Sequence, residues 1–118
     1  YASRIDGIEG VDRPVPTAGS NPAWHLYTCR LDLEQFSCTR DEFCAALMKE
    51  GVPSAVHYPK PLTRQPAFAD LADQEASTPV SVKLASRVFC IPIHQNLSDE
   101  QVNGVCDAIA KVADAFRK

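Results

Sequence analysis

The sequence predicts an α/β fold of the α+β kind: a small mixed or antiparallel sheet with helices packed against one face. Three observations predict it. Short apolar runs at Trp24–Leu31 and Phe89–Ile93 have strand length and strand composition. Two stretches open with a capping box, Thr39 with Glu42 and Ser98 with Gln101, and continue with apolar residues at helical spacing. The elements alternate β, α, β, irregular loop, α, β, α, with short connections that keep neighbours adjacent.

The elements follow in order. Tyr1–Ile8 reads as the end of a helix running into Gly7 and Gly10, with Ile5 and Ile8 as its apolar marks. Val11–Pro16 reads as an extended connector, because proline fixes φ and turns the residue before it away from helix. Thr17–Pro22, with Gly19, Ser20 and Asn21, is a loop. Residues 1–22 therefore divide as helix end and linker, and residues 23–118 as the domain proper. A chain that opens on a helix end is expected to be part of a longer polypeptide.

Trp24–Leu31 is aromatic and apolar on both faces, as in a strand covered at least partly on each side; for Tyr27 core packing is the expectation. In the helix that follows Thr39, Phe43, Ala46 and Leu47 mark the apolar face. Lys49 suits the negative helix end, and Gly51 stands where a left-handed residue would stop it. Val52–Tyr58 is a short extended segment broken by Pro53. The stretch Pro59–Pro66 holds three prolines in eight residues and is neither helix nor central strand. Ala67–Leu71 fits one helical turn. Thr78 as N-cap and Pro79 at the first helical position start a further helix with Val80, Leu84, Ala85 and Val88 on one face. Pro92 places the Phe89–Ile93 strand at an edge or strand end. In the last helix Val102, Val105, Cys106, Ile109, Val112, Ala113 and Phe116 form one stripe.

Composition narrows the function classes. The 118 residues should bury roughly two-thirds of the unfolded surface, enough for one core. Twelve basic residues scattered among fifteen acidic ones give no footprint for nucleic acid. The longest apolar run is about six residues against the ~20 of a membrane span. The five cysteines form no C-x-x-C pair and the three histidines stand alone, so buried thiols are expected rather than a metal site. The odd cysteine count and the lack of a leader pattern point to a cytoplasmic setting.

One stretch carries more. Residues 51–68, Gly-Val-Pro-Ser-Ala-Val-His-Tyr-Pro-Lys-Pro-Leu-Thr-Arg-Gln-Pro-Ala-Phe, resemble the C-terminal small domain of the DegT/DnrJ/EryC1/StrS sugar aminotransferases. Ala23–Tyr27 and Phe89–Ser98 resemble two further segments of that domain, so the likeness covers nearly the whole chain. It implies the small domain of an aspartate-aminotransferase-type (fold type I) enzyme, with pyridoxal 5'-phosphate as cofactor. By the same resemblance the parent transfers an amino group, usually from glutamate, to a nucleotide-linked keto sugar, and works as a homodimer in polysaccharide (lipopolysaccharide included) or glycoside synthesis. A dehydratase of the same family, or a free-standing ligand-binding domain, are the alternatives. The family often carries a histidine directly after the Pro-Leu pair; Thr63 stands there instead, and no ligand role is carried to it.

The family holds its cofactor on a lysine of a large N-terminal domain. Here Lys49, Lys60, Lys83, Lys111 and Lys118 lie on expected helix surfaces, at the C-terminus or in the proline-rich loop, none beside a phosphate cradle. No catalytic, cofactor-binding or metal residue is therefore expected in this chain, and alone it should be inactive. His57 and Tyr58 are the substrate-binding candidates. They leave a strand for a stiff loop, the resemblance places them near the sugar nucleotide, and an imidazole can donate to a phosphate oxygen. The residues alone favour His57 capping a carbonyl and Tyr58 as core; the resemblance turns that preference toward substrate binding. Lys60 adds a positive charge to the same wall. Thr63 and Arg64 have groups that suit phosphate, but nothing in the sequence aims them inward. His25 and His94 are expected to serve local structure.

Overall fold

The computed structural model describes residues 1–68, 70 and 77–118. Its sheet has three antiparallel strands in the order β1-β2-β3: β1 (Val11–Asp12), β2 (Tyr27–Leu31) and β3 (Val88–Ile91). Among the described residues four α-helices accompany it: α1 (Ala2–Ile5), α2 (Arg40–Lys49), α3 (Pro79–Ala85) and α4 (Asp99–Phe116).

The strands are shorter than their composition suggests, and Pro92 is the reason. Tyr27 pairs with Ile91, so Leu26 would face Pro92, which has no N–H for the ladder. Trp24, His25 and Leu26 thus fall outside β2, and β3 stops at Ile91 rather than Ile93. The cover on the two faces of β2 is unequal: Tyr27, Cys29 and Leu31 are buried, whereas on the other face Thr28 is half-buried against Cys90 and Arg30 is exposed and pairs with Asp12. Val11 and Asp12, read as connector, pair with Leu31 and Arg30.

Both capping boxes form. Thr39 and Ser98 each accept from the backbone N–H three residues on, while Glu42 and Gln101 accept from the cap residue's N–H. Thr78 does stand at the N-cap of α3, yet its side chain makes no capping bond. Gly51, at φ +81°, follows α2 in the left-handed conformation that ends it. The helical turn expected over Ala67–Leu71 falls partly outside the described residues.

The core lies between the sheet and the helices. Phe36, Phe43 and Phe89 are fully buried, and the Phe43 ring lies tilted against those of Phe36 and Phe89 at ring-centroid distances of 5.7 and 5.6 Å. Val105, Ile109, Val112 and Ala113 of α4 close this core. Ile5 and Val11 join it too, and the Tyr1 ring lies tilted against that of Tyr27 while its hydroxyl donates to the Pro92 carbonyl at 2.7 Å. All five cysteines are free; burial pushes the Cys29 thiol up to about 12, so it stays protonated near neutral pH.

Candidate functional site

The segment 52–58 follows α2 and runs along the free edge of β3. Pro53 removes a donor, so the segment makes one bridge rather than a strand: Cys90 N–H donates to the Ala55 carbonyl at 2.7 Å, and Ala55 N–H to the Cys90 carbonyl at 3.1 Å. This corrects the extended strand read at Val52–Tyr58. Two residues beyond the bridge the chain leaves the sheet, and His57 and Tyr58 project at the start of the proline-rich loop. That loop tightens into a 3-10 turn at Leu62–Arg64 and returns over α3.

Between the loop and the α3–β3 junction lies an open cleft of about 420 Å³. His57, Tyr58, Lys60, Pro61, Leu62 and Gln65 line the loop side; Ser81, Leu84, Ala85 and Val88 line the other. The three residues singled out from the sequence therefore share one cavity. The His57 and Tyr58 rings meet edge to face at 5.6 Å, and both side chains are exposed, Tyr58 by 74%. Tyr58 is not a core residue of this chain. The cleft has apolar walls, one imidazole, one phenol and one ammonium. Such a lining suits a ligand that carries both a flat or apolar part and an anionic part.

Around this cleft lie two others. Lys60 also faces a cavity of about 360 Å³ that Arg64 lines. On the far side of α3, Asp12, Arg30, Asp32, Lys83 and Arg87 line a polar cavity of about 330 Å³, in which Arg30 pairs with Asp12 and Arg87 approaches Asp32 at 3.6 Å. The Thr63 hydroxyl oxygen is buried without a hydrogen-bond partner among the described residues, and Thr63 lines none of these cavities. His94 serves its own turn: its Nδ1 accepts from Asn96 N–H and its carbonyl from Leu97 N–H. His25 is exposed and lines none of the three cavities.

Sequence reasoning missed Arg40. It occupies the first position of α2 and is only 7% exposed; its Nη1 donates to the carbonyls of Ala85 at 3.0 Å and Val88 at 2.9 Å. A signal was available. A cation in the first turn opposes the helix dipole, which favours Asp or Glu there, so an arginine at that place implies a partner elsewhere.

The fold is that of a small α+β domain with a cleft at the free sheet edge, and comparison with known proteins gives its family. Residues 1–110 match the DegT/DnrJ/EryC1/StrS aminotransferase family, and the chain belongs to it. It is 33% identical over 114 residues to the dTDP-3-amino-3,4,6-trideoxy-alpha-D-glucose transaminase of Streptomyces venezuelae, covering 97% of this chain and 28% of that protein. It is 35% identical over 100 residues to the UDP-2-acetamido-2-deoxy-3-oxo-D-glucuronate aminotransferase of Pseudomonas aeruginosa, covering 85% of this chain and 25% of that one. The crystal structure of S. venezuelae DesV in complex with a ketimine intermediate superposes with a TM-score of 0.84 at 33% identity, over 97% of this chain and 29% of that one. This chain thus spans little more than a quarter of the length of these relatives.

Aminotransferase chemistry draws on a cofactor aldehyde held by a desolvated lysine amine. All five lysines here are exposed. Lys111 pairs with Glu50 at 2.6 Å, and Lys118 donates to the carbonyls of Leu33 and Glu34. These residues do not fit the covalent cofactor site, and no chemical step is assigned to them.

Proposed function

We propose that this chain is the small domain of a pyridoxal-phosphate-dependent aminotransferase that moves an amino group from glutamate to a nucleotide-linked keto sugar. In this reading residues 23–118 form the small domain and residues 1–22 lead into it from a large domain. That large domain carries the cofactor lysine, and the chain alone is inactive. The parent works as a cytoplasmic homodimer.

The observation that carries the reading is the convergence of His57, Tyr58 and Lys60 on one cleft. Two relatives whose names specify dTDP- and UDP-linked sugars support the substrate class. The cofactor supplies the electron sink for amino transfer. This chain's residues bind and orient. His57 donates to a diphosphate oxygen, Lys60 adds charge beside it, and Tyr58 offers its flat face and hydroxyl to the sugar or base. A stiff loop suits that task, because three prolines leave little freedom to lose on binding.

The test uses the full-length protein, pyridoxal phosphate, 15N-glutamate and a panel of UDP- and dTDP-linked keto hexoses. The expected product is an amino sugar nucleotide carrying one 15N by mass spectrometry. Loss of water from the sugar without 15N incorporation would overturn the aminotransferase reading in favour of a dehydratase. No turnover of any sugar nucleotide would overturn both.

A further inference from the structure

The wall of the cleft opposite His57 is built from two carbonyl-bearing ends that no secondary structure joins directly. One is the C-terminus of α3, where the Ala85 carbonyl is among the last four and has no partner inside the helix. The other is the start of β3. Cys90 directs both its polar groups at Ala55, away from β2, and Val88, two residues earlier, presents its carbonyl on that same open edge.

Arg40 holds both. One nitrogen, Nη1, accepts no bond and donates to each carbonyl, while Nε donates to Asp41, which is exposed. These contacts reach 45 and 48 residues along the chain. The guanidinium is buried, so hydrogen bonding to it is what makes its burial tolerable. Ala85 and Val88 are cleft-lining residues, whereas Arg40 is not.

We propose that Arg40 is a positioning residue that fixes the shape of the cleft wall opposite His57 by tying the end of α3 to the free edge of β3. It touches no ligand itself. It sets where Ala85, Val88 and the α3 residue Leu84 stand relative to His57 and Tyr58, and so tunes affinity for the occupant. The inference rests on reading this cleft as the sugar-nucleotide site.

The test compares wild type, Arg40→Met and Arg40→Lys in the full-length enzyme, with two readouts. Steady-state kinetics of Arg40→Met should show KM for the sugar nucleotide raised about tenfold, with kcat and KM for glutamate within about twofold. Arg40→Lys, which keeps a donor but not the planar fork, should recover to about threefold. Hydrogen exchange of the unliganded proteins should show faster exchange across residues 79–91 in Arg40→Met. That readout does not depend on what the cleft binds. Unchanged exchange overturns the positioning role, and faster exchange with an unchanged sugar KM overturns the link to the cleft. A wild type that turns over no sugar nucleotide overturns the functional reading instead, leaving the exchange to decide on Arg40. Should Arg40→Met not fold, an unchanged sugar KM in Arg40→Lys overturns the proposal.

Discussion

Gly10 shows how much one position can constrain. Its φ is +80°, and a Cβ placed there would lie 2.7 Å from Cζ and 2.8 Å from Cε2 of Phe36, a ring only 1% exposed in the centre of the core. Gly10→Ala therefore combines left-handed strain with overpacking, and should cost roughly 2–4 kcal/mol. Gly51, at φ +81°, has nothing within 4 Å of the same atom, so Gly51→Ala should show only the strain of roughly 1–2 kcal/mol. Urea midpoints of the two variants test this; equal losses would refute the role of Phe36. At the cleft, His57→Ala should weaken sugar-nucleotide binding by about tenfold, the size of one charge-assisted hydrogen bond, while pyridoxal phosphate uptake stays unchanged. Calorimetry on the full-length protein decides, and equal affinity would reject the assignment. His57, Tyr58 and Lys60 were legible because they sit together in a motif. Arg40's place in the first turn of α2 signalled that it needs a partner, but which partner was not legible, because its two partners are carbonyls of distant residues and a carbonyl has no signature in sequence.

At the scale of elements, helix starts are well encoded because a capping box is a contact over three residues. The Glu42 carboxylate accepts from the Thr39 N–H and from its hydroxyl, both at 2.8 Å. These bonds hold its pKa below the ordinary 4.5. The unfolded chain has no such bonds. Stability from this box is thus fully present above the ordinary value and lost as pH falls through the lowered, folded one. Thr39→Ala should cost about 1 kcal/mol at pH 7. Glu42→Gln should flatten the acid limb of the stability curve below about pH 4.5, leaving the part due to Asp32, whose carboxyl is also lowered, chiefly by Gln35. Parallel acid limbs for wild type and Glu42→Gln would refute the account. Strands were less legible. The limits of β2 and β3 follow from Tyr27 meeting Ile91, which places Pro92 against Leu26, a pairing between residues far apart in the chain. The two residues of β1 are too few to form a pattern.

Over the whole molecule, the sequence by itself determined where α2 and α4 form, which of their faces turn inward, and the family to which the chain belongs; for α3 it did not fix the face, since Val80 is exposed and Val88 belongs to β3. Capping boxes, apolar stripes and the run from Gly51 to Phe68 are all local, and local spacing is written directly in residue order. Only the tertiary structure decided that 52–58 meets β3 at one bridge, that α3 stands across from the proline-rich loop, and that Arg40 ties that opposite wall together. Those features depend on register and on backbone carbonyls brought close from tens of residues away. Every residue carries such a carbonyl, so only the folded chain selects which ones meet a partner.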